Sequence, residues 1–173
     1  MNMTTPLSII VVLMMALSGY LIWRQNRLER SVTHLMVDAT YGVLTRNGLD
    51  LRWRQLGAQA DRLEVVFFDL DELHAANERY GYADVDRRIR AALQVRASDL
   101  CVARWYSGDE LVIVVGAGDG HGAAERILAR LRANGLSATF GVVPAQRHLA
   151  QAVMAASRKV QSAKALGLRG TIN

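Results

Sequence analysis

Three carboxylates stand where apolar segments end. Asp69 closes the run LEVVFFDL (63–70), and Asp109 and Glu110 sit side by side in RWYSGDELVIVV (104–115), just before the solid apolar run 111–115. Carboxylates that converge repel one another unless a cation joins them. A hard ion such as Mg²⁺ takes one or two of them together with the phosphates of a substrate. An isolated acid beside a turn is ordinarily a solvated residue, and an acid pair at a tight hairpin would serve equally as a solvated turn or a metal site. What decides between these is whether the surrounding elements carry the three acids to one place.

The run 63–70 reads as a buried strand from its β-branched and aromatic content. The segments 101–106 and 111–115 read as two strands joined by SGDE, a hairpin by its glycine and its length. Between them, 71–95 is helical with an interruption near Gly81. The stretch 121–135 predicts a helix closed by Gly135, 137–143 a strand, 148–167 a helix, and the tail 168–172 a last edge strand. Upstream, a break at 38–48 precedes a helical stretch from Leu49 to about Ala60. The order strand, helix, hairpin, helix, strand gives an α+β fold of βαββαβ, ferredoxin-like connectivity: an antiparallel sheet with helices on one face. In such a sheet the first and hairpin strands are neighbours, so Asp69, Asp109 and Glu110 converge.

The 173 residues leave room for one domain and an appendage. The first 23 contain no Asp, Glu, Lys or Arg, and 6–23 is almost wholly apolar. At about 1.5 Å per residue that run reaches roughly 27 Å, which predicts one transmembrane helix. A cleaved secretory signal would want a basic start and a small-x-small site, neither of which is present. Arg24, Arg27 and Arg30 follow the run and no basic residue precedes it, so the body is expected in the cytoplasm, on a single span of the inner membrane. The organisation expected is an anchor (1–23), a helical linker (24–37) and a domain (38–173). In the linker Leu28, Val32 and Leu35 make a narrow seam that either pairs with a second copy or packs on its own domain. Cys101 is the sole cysteine, which excludes a disulfide framework and fits a reducing compartment. The formal charge of +5 suits anionic phosphates or lipid head groups. With no basic-aromatic stripe it does not indicate nucleic acid.

FFDLDELHAANERYGYADVD and SGDEL resemble the two signature regions of the GGDEF domain, the domain of the diguanylate cyclases. DATYGVLTRNGL resembles that family's entry motif, and SATFGVV and AASRKVQSAKALG its fourth strand and last helix. The likeness covers about 38–173. It implies a nucleotidyl-cyclase palm that condenses two GTP into cyclic di-GMP across a homodimer, with Mg²⁺ or Mn²⁺. Carried over by position, Asp69, Asp109 and the Leu70 carbonyl match the metal ligands, and Asn77 and Asp86 match the pair that reads the guanine edge. An amide and a carboxylate together satisfy guanine's acceptor and donors. Ser107 and Gly108 stand where backbone approaches the nucleotide, Glu110 is the second acid, and Lys164 matches a lysine on the triphosphate. The backbone N–H groups of Glu72 and Leu73 would face the phosphates as well.

The chain departs from the family pattern in several places. Ser107 replaces the first glycine, and Leu111 the phenylalanine that closes the motif. His74 replaces a phosphate-contacting lysine, and Leu168 an arginine, with Arg169 one step further on. RASD (96–99) resembles the RxxD product-inhibition motif, with Arg96 and Asp99 gripping cyclic di-GMP. Seven residues rather than the usual five separate that Asp from the first motif position, and an ordinary polar turn is the other reading. The alternative to catalysis is a degenerate GGDEF domain that binds GTP or cyclic di-GMP and signals by protein contact.

Overall fold

The computed structural model describes residues 4–94, 99–106 and 108–173, with backbone alone over 4–9 and 28–34. Two compact units emerge, Met1–Leu35 and Met36–Asn173. The first belongs to helix α1 (Thr4–Met36). Its side chains from Ile10 to Trp23 are exposed all round, Met15 at 70%. Among the described residues no helix is long and apolar enough to cross a membrane, so the expected anchor is not found there. The described apolar side chains run from Ile10 to Trp23, about 21 Å of helix, before Arg24 arrives. Of the proposed seam, the Leu28 and Val32 side chains lie outside the described residues, and Leu35 is exposed.

In the second unit, Thr45 opens helix α2 (Arg46–Leu56) by accepting the Gly48 N–H on its hydroxyl at 3.2 Å. That cap moves the helix start ahead of the expected Leu49, and a short 3₁₀ segment, Gly57–Arg62, leads into the sheet. Strand β1 (Leu63–Asp71) is followed by helices α3 (Leu73–Tyr80) and α4 (Tyr82–Ala92). They are divided at Gly81, whose φ of 80° belongs to glycine. Strands β2 (Asp99–Arg104) and β3 (Glu110–Gly116) form the hairpin. Helix α5 (Gly120–Ala133), strand β4 (Ser137–Pro144) and helix α6 (Leu149–Ala165) complete the order.

The four strands lie in the order β2-β3-β1-β4, every pair antiparallel. The architecture is the expected α+β one, with one correction: helices cover both faces of the sheet, not one. The cause is visible in Val65, Val66, Phe67 and Phe68, four consecutive residues that are all buried. Successive strand residues point to opposite faces, so both faces need an apolar cover. Val66 and Phe68 join a core with Val85 and Ile89 of α4 and Ile127 and Leu131 of α5. Val65 and Phe67 join a second core with Leu49 and Trp53 of α2 and Ala156 and Val160 of α6. The expected edge strand is reduced to a short parallel pairing on β4: around the Ile172–Phe140 bridge, Phe140 and Val142 donate to the Thr171 and Asn173 carbonyls and Asn173 donates to the Phe140 carbonyl.

Candidate active site

β1 and β3 are paired so that Asp69 stands opposite Glu110. Directly opposed residues leave the sheet on the same face, and here that face is covered by α6. Asp109 lies one residue before β3, and its carbonyl accepts the Leu70 N–H at 3.0 Å. The hairpin tip is thereby pinned to the end of β1. Burial pushes the Asp69 carboxyl above its ordinary range, with Asp109 and Asp71 adding to the rise and Lys164 opposing it. Burial also raises Glu110, and Asp109 and Asp69 raise it further. The strand-end aspartate and the acid pair therefore act as one electrostatic unit.

Lys164, in the last turn of α6, supplies a positive charge. Its Nζ donates to Asp69 Oδ1 at 2.7 Å and to the Leu70 carbonyl at 3.4 Å, and it lies 3.1 Å from Asp71 Oδ1. Two of these three oxygens belong to residues matched above to metal ligands. Among the described residues no group of three or more His, Cys, Asp or Glu is gathered to hold a metal alone. The donors that are present, two carboxylates and the Leu70 carbonyl, are hard oxygens, and burial, with Asp109 and Asp71 adding to it, already raises the pKa of Asp69. That fits a magnesium site whose shell the phosphates of a substrate complete.

The other expected residues are placed as follows. Asn77 is half-buried on α3 and Asp86 half-buried on α4, on consecutive helices either side of the Gly81 turn. His74 is 83% exposed and faces Glu78 at 3.2 Å. Gly108 is at the hairpin, its carbonyl accepting the Tyr41 hydroxyl at 2.9 Å. Ser107 and Arg96 lie outside the described residues. Asp99 begins β2 opposite Val115, at the far end of the sheet from Glu110, where Arg126 of α5 meets it at 2.7 Å.

Three residues were missed at the level of sequence. Asp71 is 8% exposed and accepts bonds from Thr139 Oγ1, Ser137 Oγ and the Gly170 N–H. Its two-residue step from Asp69 along a strand was a usable signal for a shared face. Tyr41 is buried, reaches Gly108 and Asp86, and has its hydroxyl pushed up to about 12, chiefly by burial and then by Asp86. Arg104 packs over the Tyr41 ring at 5.2 Å and pairs with Asp38 at 2.9 Å. Glu72 turns β1 into α3 through a left-handed backbone (φ 52°), a conformation unusual outside glycine.

No family model and no curated protein matches the chain by sequence. Solved structures do match by shape. The coiled coil and GGDEF domain of DgcB from Caulobacter crescentus, in complex with c-di-GMP, gives a TM-score of 0.73 at 15% identity, over 94% of this chain and 98% of that one. Diguanylate cyclase SiaD from Pseudomonas aeruginosa, in complex with its activator SiaC, gives 0.68 at 19% identity, over 94% and 71%. A sensory box/GGDEF family protein from Caulobacter crescentus gives 0.61 at 26% identity, over 76% and 99%. The fold of this chain is the one those GGDEF proteins share.

Proposed function

We propose that this chain is a diguanylate cyclase. Each domain binds one GTP, two domains face one another, and the 3′-hydroxyl of one ribose attacks the α-phosphorus of the other nucleotide. An O3′–P bond forms, the α–β phosphoanhydride breaks, and pyrophosphate leaves. The reciprocal attack closes cyclic di-GMP. The observation that carries this reading is the register of Asp69 opposite Glu110 with Asp109 pinned to Leu70, because it makes one site of two distant motifs. In the proposal Asp69, Asp109 and the Leu70 carbonyl hold Mg²⁺ or Mn²⁺, which when bound would neutralise phosphate charge. Glu110 takes the proton of the attacking hydroxyl or shares the ion. Asn77 and Asp86 read guanine, Gly108 and Ser107 border the nucleotide, and Lys164 swings from Asp69 to the phosphates. Most of the barrier falls through positioning and charge stabilisation.

Two observations favour a second reading, a lapsed copy that binds GTP or cyclic di-GMP and signals by contact. Lys164 already neutralises Asp69, and His74 turns to Glu78. The two readings separate in one assay: the chain with GTP and Mg²⁺ yields cyclic di-GMP, and Asp109→Ala abolishes product while leaving the melting curve in place. GTP binding without product at high protein concentration selects the second reading, and no saturable binding of either GTP or cyclic di-GMP sinks both.

The proposal extends to location. We place the domain in the cytoplasm on a single inner-membrane span over 6–23, the following arginines on the cytoplasmic side. The bare apolar side chains between Ile10 and Trp23 support an apolar neighbour, and the residues before them would complete the crossing. Recovery of the full chain in the soluble fraction of lysed cells would remove this part of the proposal.

A further inference from the structure

A recess of about 370 Å³ opens along α3, with Arg79, Arg132, Arg169, Tyr80, Glu72 and Asp71 on its walls. Its volume falls at the low end of small-molecule pockets. The three guanidinium groups arrive from three separate places: α3, α5 and the tail after α6. Among the described residues none of them is paired with a carboxylate. The partners of Arg132 and Arg79 are neutral. Arg132 donates to the Gly170 carbonyl at 2.8 Å, and Arg79 stands over the Tyr80 ring at 5.8 Å.

The two acids on the wall do not cancel this charge. Asp71 is already taken by Lys164 and by three hydrogen bonds. That leaves Glu72 as one carboxylate against three arginines. Like charges gathered in one recess repel until an anion joins them. Guanidinium forks suit phosphate oxygens, which they bind in pairs. Asn77, His74 and the acid pair do not line the recess, while Asp71 and Glu72 on its wall join it to the end of β1, where Lys164 stands.

We propose that this recess binds a small oligophosphate, held by Arg79, Arg132 and Arg169. The inference does not depend on the activity proposed above. Its test is calorimetric titration of the full chain with inorganic pyrophosphate in EDTA, so that no metal bridges the ligand to Asp69. Saturable one-to-one binding is expected. In the double variant Arg79→Gln/Arg169→Gln it should weaken by at least about tenfold with the melting temperature within about 2 °C. Arg169→Gln alone, at an exposed tail position, should weaken it several-fold and serves if the double variant folds poorly. Lys164→Gln should retain binding. No heat at millimolar pyrophosphate, or binding that survives the arginine changes, overturns the proposal. Preloading with GTP identifies the source: loss of the pyrophosphate signal assigns the recess to the distal phosphates of a nucleotide, and its retention to a separate phosphorylated molecule. Either result supports an oligophosphate site.

Discussion

Half-buried and facing both Asp69 and Asp109, the Glu110 carboxyl keeps its proton to a higher pH than a free glutamate does. Its folded-state pKa lies above the unfolded one, so the folded chain binds the more protons and loses stability as pH rises through the folded value. The contribution is whole below the ordinary glutamate value of 4.5 and is gone above the raised one. Asp69 acts with the same sign from its ordinary 3.8. In EDTA the melting temperature should therefore fall as the pH rises above the ordinary glutamate value of 4.5. Glu110→Gln, which fixes the uncharged form, should raise it by roughly 1–4 °C at pH above the raised value, flatten the slope and remove turnover. An unchanged slope would mean that the acids do not feel one another. Tyr41 makes a different kind of contribution. Its hydroxyl bonds the Gly108 carbonyl and reaches Asp86, joining the hairpin to the residue proposed to read guanine. Tyr41→Phe should cost about 1 kcal/mol in urea unfolding. It should also raise KM for GTP more than it lowers kcat, and narrow the preference for GTP over inosine triphosphate by about fivefold. A preference that stays put while GTP still binds would show that Tyr41 does not position Asp86.

The elements hold these side chains through close backbone approach, and α6 is the clearest case. A Cβ on Gly141 would lie 2.2 Å from the Ala156 carbonyl oxygen, so α6 is seated on β4 with no room between them. Since Lys164 rides on α6, the seat sets its distance to Asp69. Gly141→Ala should cost about 1–3 kcal/mol or more by overpacking, read as a lower urea midpoint, and should weaken any Lys164-dependent nucleotide binding with it. An unshifted midpoint would mean that the helix is not seated where it stands here. Much of this level was legible in the sequence, because apolar runs bounded by acids and glycines mark β1, the hairpin and the turns at Gly81 and Gly135. Cover on both sheet faces was not expected, although the four consecutive apolar residues 65–68 carry that signal once both parities are counted. Asp69 and the acid pair were legible since each borders a strand. The Tyr41–Gly108 bond was not, because its partners lie 67 positions apart and no local pattern links them. Nor was Arg126 on Asp99, 27 positions away.

At the scale of the whole molecule, a single domain carries one proposed nucleotide site, and the proposed reaction needs two nucleotides opposed. Rate should then depend on how often two domains meet. For the unit 36–173 alone, product formation should rise with the square of protein concentration until dimers saturate. The segment 1–35 adds a long helix whose described apolar side chains are exposed, and exposed apolar surface of that extent calls for a partner. If that partner is a second copy, or a membrane that gathers copies, joining the segments converts the meeting of domains into a local event at an effective concentration in the millimolar range. The full chain, in detergent or vesicles, should accordingly show a rate linear in protein at about 1 µM and exceed the truncated unit by at least about tenfold there. The gap should close as the concentration of the truncated unit is raised. Equal rates with the same concentration dependence would show that the N-terminal helix does not bring catalytic domains together. A gap that persists at saturating protein would instead place its effect within each domain.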